Sequence, residues 1–134
     1  MEKYVFEYEM AVRDYECDMQ GIVNNANYQH YLEHTRHEFL RAVGKSFTEM
    51  RTEGIDPVVS RITIDYKQPL RSGDVFTSKL YIRREGIKFV FFQHIFRLSD
   101  QVLCVRAKVE TVCLVMGKVS RGDELLPAFG NYLQ

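Results

Sequence analysis

One stretch of this chain repeats at helical spacing, and almost everything else repeats at strand spacing. Tyr28, Leu32, Thr35, Phe39 and Val43 follow steps of four, three, four and four, which lay one stripe along a helix from about Asn24 to Val43. Gln29, His30, Glu33, His34, Arg36, His37, Glu38 and Arg41 fill the polar positions between them. Gly44 suits the C-terminal cap. Ser46 to Arg51 reads as one more short helical turn, broken by Gly54 to Pro57. No second long helical pattern occurs.

The remaining periodic segments alternate. Tyr4, Phe6, Tyr8, Met10 and Val12 form one apolar face of a first strand. Ile62, Ile64 and Tyr66 alternate with Arg61, Thr63 and Asp65, and Pro69 to Asp74 is a turn cluster. Val75 to Arg83 is a strand. Ile87 to Leu98 is apolar on both faces, as for a central strand covered on both sides. Gln101 to Val115 is a long half-buried strand. The later strands are joined by short turns, which imply antiparallel neighbours. One long helix has to be buried against one face of such a sheet, which makes a two-layer α+β domain. Long strands bend as they twist, so the expected form is a long central helix wrapped by a curved antiparallel sheet of about five strands. The 134 residues fit a single domain spanning 1–134.

Composition narrows the partners. Lys plus Arg and Asp plus Glu both number 18, for zero net charge, without the basic excess of a nucleic-acid binder. Zero net charge leaves little self-repulsion against association. The N-terminus lacks the apolar core of a signal peptide, and no run approaches the roughly 20 apolar residues of a membrane span. A cytosolic protein is expected. Of the three cysteines, Cys104 and Cys113 lie on one strand, ~30 Å apart and beyond disulfide reach. Free thiols are expected for both and for Cys17.

The chemistry concentrates in CDMQGIVNNANY, residues 17–28. Asn24 and Asn25 stand at the start of the helix, where an Asn side chain caps an orphan N–H. The first turn of a helix directs unpaired donors outward with about half a positive charge behind them. Such an end holds a developing oxyanion or a polarised carbonyl. Gly21 allows close approach, and Asp18 on the same loop is a candidate nucleophile or general base toward an ester-like bond. A lone Asp before a helix also serves as a plain turn residue, and the asparagines as plain caps. His30, His34 and His37 fall at i, i+4, i+7, a spacing that can clasp zinc, but no further ligand completes a set. They read as a solvated or interface face, and no metal is expected. Cys17 has no base selected for it. There is no G-x-S-x-G elbow and no Gly-rich phosphate loop. Arg83, Arg84 and Lys88 flank one hairpin turn and suit either the phosphates of a carrier or plain solvation.

The run Tyr15-x-x-Asp18-x-x-Gly21-Ile22-Val23-x-Asn25-x-x-Tyr28-x-x-Tyr31-x-Glu33 resembles the signature of the 4-hydroxybenzoyl-CoA thioesterase family of hotdog-fold proteins. So does Ile62-x-Ile64-x-Tyr66-x-x-Pro69-x-x-x-Gly73-Asp74, in the right order over nearly the whole chain. The resemblance implies the hotdog fold and hydrolysis of acyl-CoA thioesters without a metal or organic cofactor. It implies homodimers with joined sheets, often paired into homotetramers, and an active site at the dimer interface. Asp18 takes the place of the catalytic carboxylate. Gly21, Val23 and Asn25 surround the helix N-terminus that polarises the carbonyl. Tyr28, Arg83, Arg84 and Lys88 take substrate-binding places, the basic hairpin holding CoA phosphates. Asn25 departs from the His or Tyr of many bacterial relatives and looks more like the branch acting on long-chain acyl-CoA or acyl-carrier-protein substrates. An acyl-carrier-protein thioesterase and a non-catalytic acyl-binding module remain the alternatives.

Overall fold

The computed structural model describes residues 3–44 and 47–134. Strand β1 (Phe6–Ala11) leads through a short 3-10 turn (Asp14–Glu16) and a tight hairpin into helix α1 (Asn25–Ala42). A short helix α2 (Phe47–Thr52) follows, and Ser46 lies outside the described residues. Strands β2 (Ile55–Tyr66), β3 (Val75–Glu85), β4 (Lys88–Arg97) and β5 (Leu103–Val115) complete the main sheet, in the order β1-β3-β4-β5-β2. All these pairings are antiparallel.

The helix lies on one face of the sheet, and the sequence stripe is its contact. Tyr28, Leu32, Thr35 and Phe39 are buried. Phe39 stacks among Phe6, Phe91 and Phe129, so truncating it to Ala should cost about 3–5 kcal/mol. Polar groups on this face are paired. Thr35 Oγ1 bonds Ser78 Oγ at 2.7 Å, and Gln93 Nε2 donates to Leu32 O at 3.0 Å. Gly44, at φ +83°, ends the helix with its N–H on Arg41 O, as a C-terminal cap should.

Several expectations are corrected. Helix α2 does end before Gly54 to Pro57, at Thr52, but the next strand starts earlier than the alternation from Arg61 suggests: β2 begins at Ile55 and pairs Pro57 with Cys113. An edge strand tolerates proline because one side of it has no ladder to feed. Nor is β2 beside β3, despite the short connection. The segment 67–74 crosses to the far side of the sheet, with Leu70 buried. The central strand β4 is covered unevenly: Phe89, Phe91, Gln93 and Ile95 are buried on one face, whereas on the other Val90 is buried but Phe92 and Phe96 are half-buried. A C-terminal segment without clear periodicity, including β6 (Lys118–Val119) and helix α3 (Leu126–Phe129), returns to the core and buries Leu125 and Phe129. The three thiols are free. No metal-binding group of His, Cys, Asp or Glu occurs among the described residues. No helix among them is long and apolar enough to cross a membrane.

Candidate active site

The hairpin before α1 is built by its own short-range bonds. Asp18 Oδ1 accepts from Gln20 N at 2.9 Å, Gly21 N donates to Asp18 O, and Asp18 N donates to Ile22 O. Gly21 sits at φ +78°, a left-handed conformation that a side chain would strain. Asp18 is exposed at the tip, with one carboxylate oxygen holding the turn.

Glu16 fastens this hairpin to the helix. Its carbonyl accepts from Asn24 N at 3.0 Å and from Asn27 Nδ2 at 2.7 Å. Its carboxylate accepts from Arg13 N and from Tyr31 Oη, each at 2.8 Å. Burial, then the Glu16 carboxylate, pushes the Tyr31 phenol well above its usual range. Glu16 escaped the sequence reading; the only signal was a carboxylate at the hairpin's base.

The helix N-terminus is then accounted for donor by donor. Asn24 is the cap, and its Oδ1 accepts from Ala26 N at 3.0 Å. Asn27 N donates to Asn24 O, and Val23 N donates to Leu70 O at 2.9 Å. The N–H of Asn25 has no acceptor among the described residues. The donor set expected around Val23 and Asn25 thus narrows to one open group, since Val23 is buried and its N–H is used.

Beside Asn25 lies a cavity of about 220 Å³, lined by Ile22, Asn25, Tyr28, Tyr66 and Pro69 among others. Tyr28 is buried in its wall, and its hydroxyl accepts from Leu70 N at 3.1 Å. Tyr66 leans on Tyr28 with ring centres 5.5 Å apart, and its hydroxyl donates to Asn25 O at 3.4 Å. The sequence placed Tyr66 on a face with Ile62 and Ile64 but assigned it no role. Cys17 is not primed for attack: burial and then the Asp14 carboxylate push its thiol up, away from the nucleophilic thiolate.

The basic hairpin does not converge. Arg83 lies over the rings of Tyr81 and Phe92 on the outer face of the sheet. Arg84 turns the other way and donates to Arg121 O and to Asp123 Oδ1 at 2.8 Å. Lys88 pairs with Glu110 at 3.0 Å. The register aligns Tyr66 with Val105, Ile95 and Ser78 across the sheet, so Arg83 stands five residues, ~17 Å, further along β3. His30 and His34 are exposed and His37 is half-buried; His34 and His37 pair with Glu38 and Glu33, the solvated reading of that face.

Residues 12–131 match the family model described as the thioesterase-like superfamily. The chain belongs to this family. It is 42% identical over 103 residues to a chloroplastic acyl-acyl carrier protein thioesterase of Arabidopsis thaliana, covering 76% of this chain and 54% of that one. The chain thus spans about half the length of this plant relative. It is 29% identical over 115 residues to an acyl-CoA thioester hydrolase of Escherichia coli, covering 85% of each. A crystal structure of an Aquifex aeolicus protein described as hypothetical superposes with a TM-score of 0.85 at 30% identity, over 96% of this chain and 99% of that one. The helix wrapped by a curled antiparallel sheet is the hotdog fold of these thioesterase-like proteins.

Proposed function

We propose that this chain is a thioester hydrolase acting on long-chain acyl groups carried on coenzyme A or on an acyl carrier protein. One observation carries the reading. The open N–H of Asn25 stands at the helix N-terminus beside the Tyr28–Tyr66 cavity, directly after the hairpin that presents Asp18.

In this reading the thioester carbonyl oxygen points at Asn25 N–H. That donor and the helix dipole stabilise the negative charge that develops as the carbonyl becomes tetrahedral. Asp18 takes the proton of the attacking water, or attacks the carbonyl carbon to form a mixed anhydride that a water then hydrolyses to the free acid, regenerating the carboxylate. The thiolate leaves and takes up a proton. The Asn25 side-chain amide cannot act as a base near neutral pH; it assists by hydrogen bonding. Val23 and Gly21 fix the backbone, and Tyr28 packs against the substrate next to the reacting carbonyl.

Oligomerisation fits the same reading. The β2 edge is unpaired within the chain and carries the exposed Val59 and Tyr66, so a homodimer joined there places the site at its interface. The half-exposed Phe92 and Phe96 of the outer face supply a second contact for a homotetramer. Arg83 would then reach CoA phosphates from a neighbouring protomer. Free thiols suit a reducing, cytosol-like compartment.

The test is thiol release from a panel of acyl-CoAs, and from the same acyl groups on a carrier protein, by wild type and Asp18→Asn. Turnover that is lost in the variant supports the hydrolase, and the ratio of kcat/KM between the two carriers assigns the substrate. Binding of acyl thioesters without turnover would move the chain to an acyl-binding module.

A further inference from the structure

The helix buries a cation that has no carboxylate within salt-bridge distance among the described residues. Arg36 is only 8% exposed, although its charge put it among the polar positions of the sequence pattern. One guanidinium N–H donates to Gln93 Oε1 at 2.9 Å. Gln93 is itself fully buried and pinned through Nε2 to Leu32 O, so its carbonyl oxygen is held toward the guanidinium. No carboxylate lies in salt-bridge reach of Arg36 among the described residues. Glu33, one turn earlier, lies 3.7 Å from His37 Nε2 instead. A guanidinium carries five donors in a planar fork, and a buried charge without a counter-charge costs several kcal/mol. Burial accordingly lowers the Arg36 pKa to about 10, with Glu33 opposing the shift.

The guanidinium faces open space. Two cavities of about 380 and 370 Å³ share Glu33, Arg36 and Val59, so they form one groove between α1 and β2. One end reaches Ala26, next to the open N–H of Asn25, and the other reaches Phe129. Val58, Val59, Ile62, Phe91 and Phe129 give it an apolar wall. Glu33 lines both cavities, and Arg51 and Asp56 line the Phe129 end, so the charged groups around the groove balance; among them only Arg36 is buried. From Ala26 to Arg36 the helix rises ~15 Å. A groove with one apolar wall that begins beside the helix N-terminus and meets a buried guanidinium fork suits an acyl chain with an anionic end.

We propose that this groove holds the acyl chain and that Arg36 binds a carboxylate at its far end, so that the preferred substrates are thioesters of dicarboxylic acids. The inference rests on the thioesterase reading and names its substrate class. Arg36 is a specificity residue, distant from the bond that breaks.

The experiment compares ω-carboxyacyl-CoAs with plain acyl-CoAs of matched, graded length. Wild type should favour the carboxylate-ended ester in kcat/KM at one length, and Arg36→Met should lower that ratio about ten- to a hundredfold. Arg36→Lys keeps the charge without the fork and should fall between; it carries the comparison if Arg36→Met does not fold. No preference at any length, or a ratio unchanged in the variants, overturns the proposal. In a second readout, independent of turnover, free dicarboxylic acids of the same lengths should raise the Tm of wild type but not of Arg36→Met. A melting shift without any thioester turnover would refute the hydrolase and leave the Arg36 site standing. Turnover without the shift or the preference would do the reverse. A variant that dissociates the oligomer with its substrate ratio intact would assign the guanidinium to a carboxylate of a second copy, which also overturns the proposal.

Discussion

Tyr31 donates a 2.8 Å hydrogen bond to Glu16 across the junction between helix α1 and the hairpin that carries Asp18. The bond couples the sheet side of the helix to the Asp18 hairpin, because Tyr31 also packs on Phe76 at 4.7 Å. Removing the hydroxyl leaves a largely buried carboxylate short of a donor. Tyr31→Phe should cost about 1–3 kcal/mol and lower kcat by loosening the hairpin. Thermal unfolding and steady-state rates measured together check this; a stability loss at unchanged kcat would confine the bond to a structural role.

The same burial sets an alkaline limit. The phenols of Tyr28 and Tyr31 are both pushed up in the folded state, first by burial. An unfolded chain deprotonates its tyrosines near pH 10, while the native chain still holds these protons. Above that pH the native state binds more protons than the unfolded one, so stability falls as pH rises. The contribution is intact below about pH 10. Denaturant midpoints should hold from pH 8 to about 10 and decline above it, less steeply in Tyr31→Phe.

Asp18→Asn separates chemistry from the turn. The Asn side chain keeps an oxygen for Gln20 N, so the hairpin should survive with stability within about 0.5 kcal/mol. The base or nucleophile is gone, and kcat should fall roughly 10²-fold or more. Unchanged turnover in the folded variant would remove Asp18 from the mechanism.

Asn25→Pro addresses the backbone donor itself. Asn25 is the first helical residue, where proline is well tolerated. Asn24 already has φ −64° and ψ 137°, a conformation that a following proline permits. The helix should therefore form while the open N–H disappears, with kcat falling about 10²–10³-fold. Asn25→Ala retains the N–H and should lose far less. Equal losses in the two variants would point to the side chain rather than the backbone.

Gly122→Ala tests how the C-terminal segment is locked. Gly122 has φ +92°, and an added Cβ would come 2.9 Å from Phe89 and 3.1 Å from Ile87 O. The substitution should cost about 1–3 kcal/mol in strain alone, read from denaturant unfolding.

The helix and the succession of strands along the chain were legible because their periods differ and each pattern is long, but the place of β2 in the sheet was not. Asn24 as the cap and Asp18 in a turn were legible as local chemistry. The early start of β2 was hidden because a proline argues against a central strand; only the topology reveals that β2 is an edge. Arg83 and Arg84 looked like one basic cluster, yet neighbours on a strand point to opposite faces, and they diverge. The burial of Arg36 was hidden by its charge: it depends on Gln93, 57 residues away, meeting it from another strand. The last 19 residues carry no period long enough to read, since they pack as short turns under the sheet.

The two margins of the sheet are unequal, and this bears on how the protein avoids fibres. Strand β1 offers only six residues to a stranger. The longer β2 has a proline near its start, where one amide is missing, and a register shift between Val59 and Arg61. Only its last stretch presents a regular row of unpaired amides and carbonyls. Mutual pairing of two such stretches uses up both, leaving short or interrupted margins that give open-ended growth nothing to template on. Straightening β2, by replacing Pro57 and removing the bulge, would lengthen the regular margin open to templated growth.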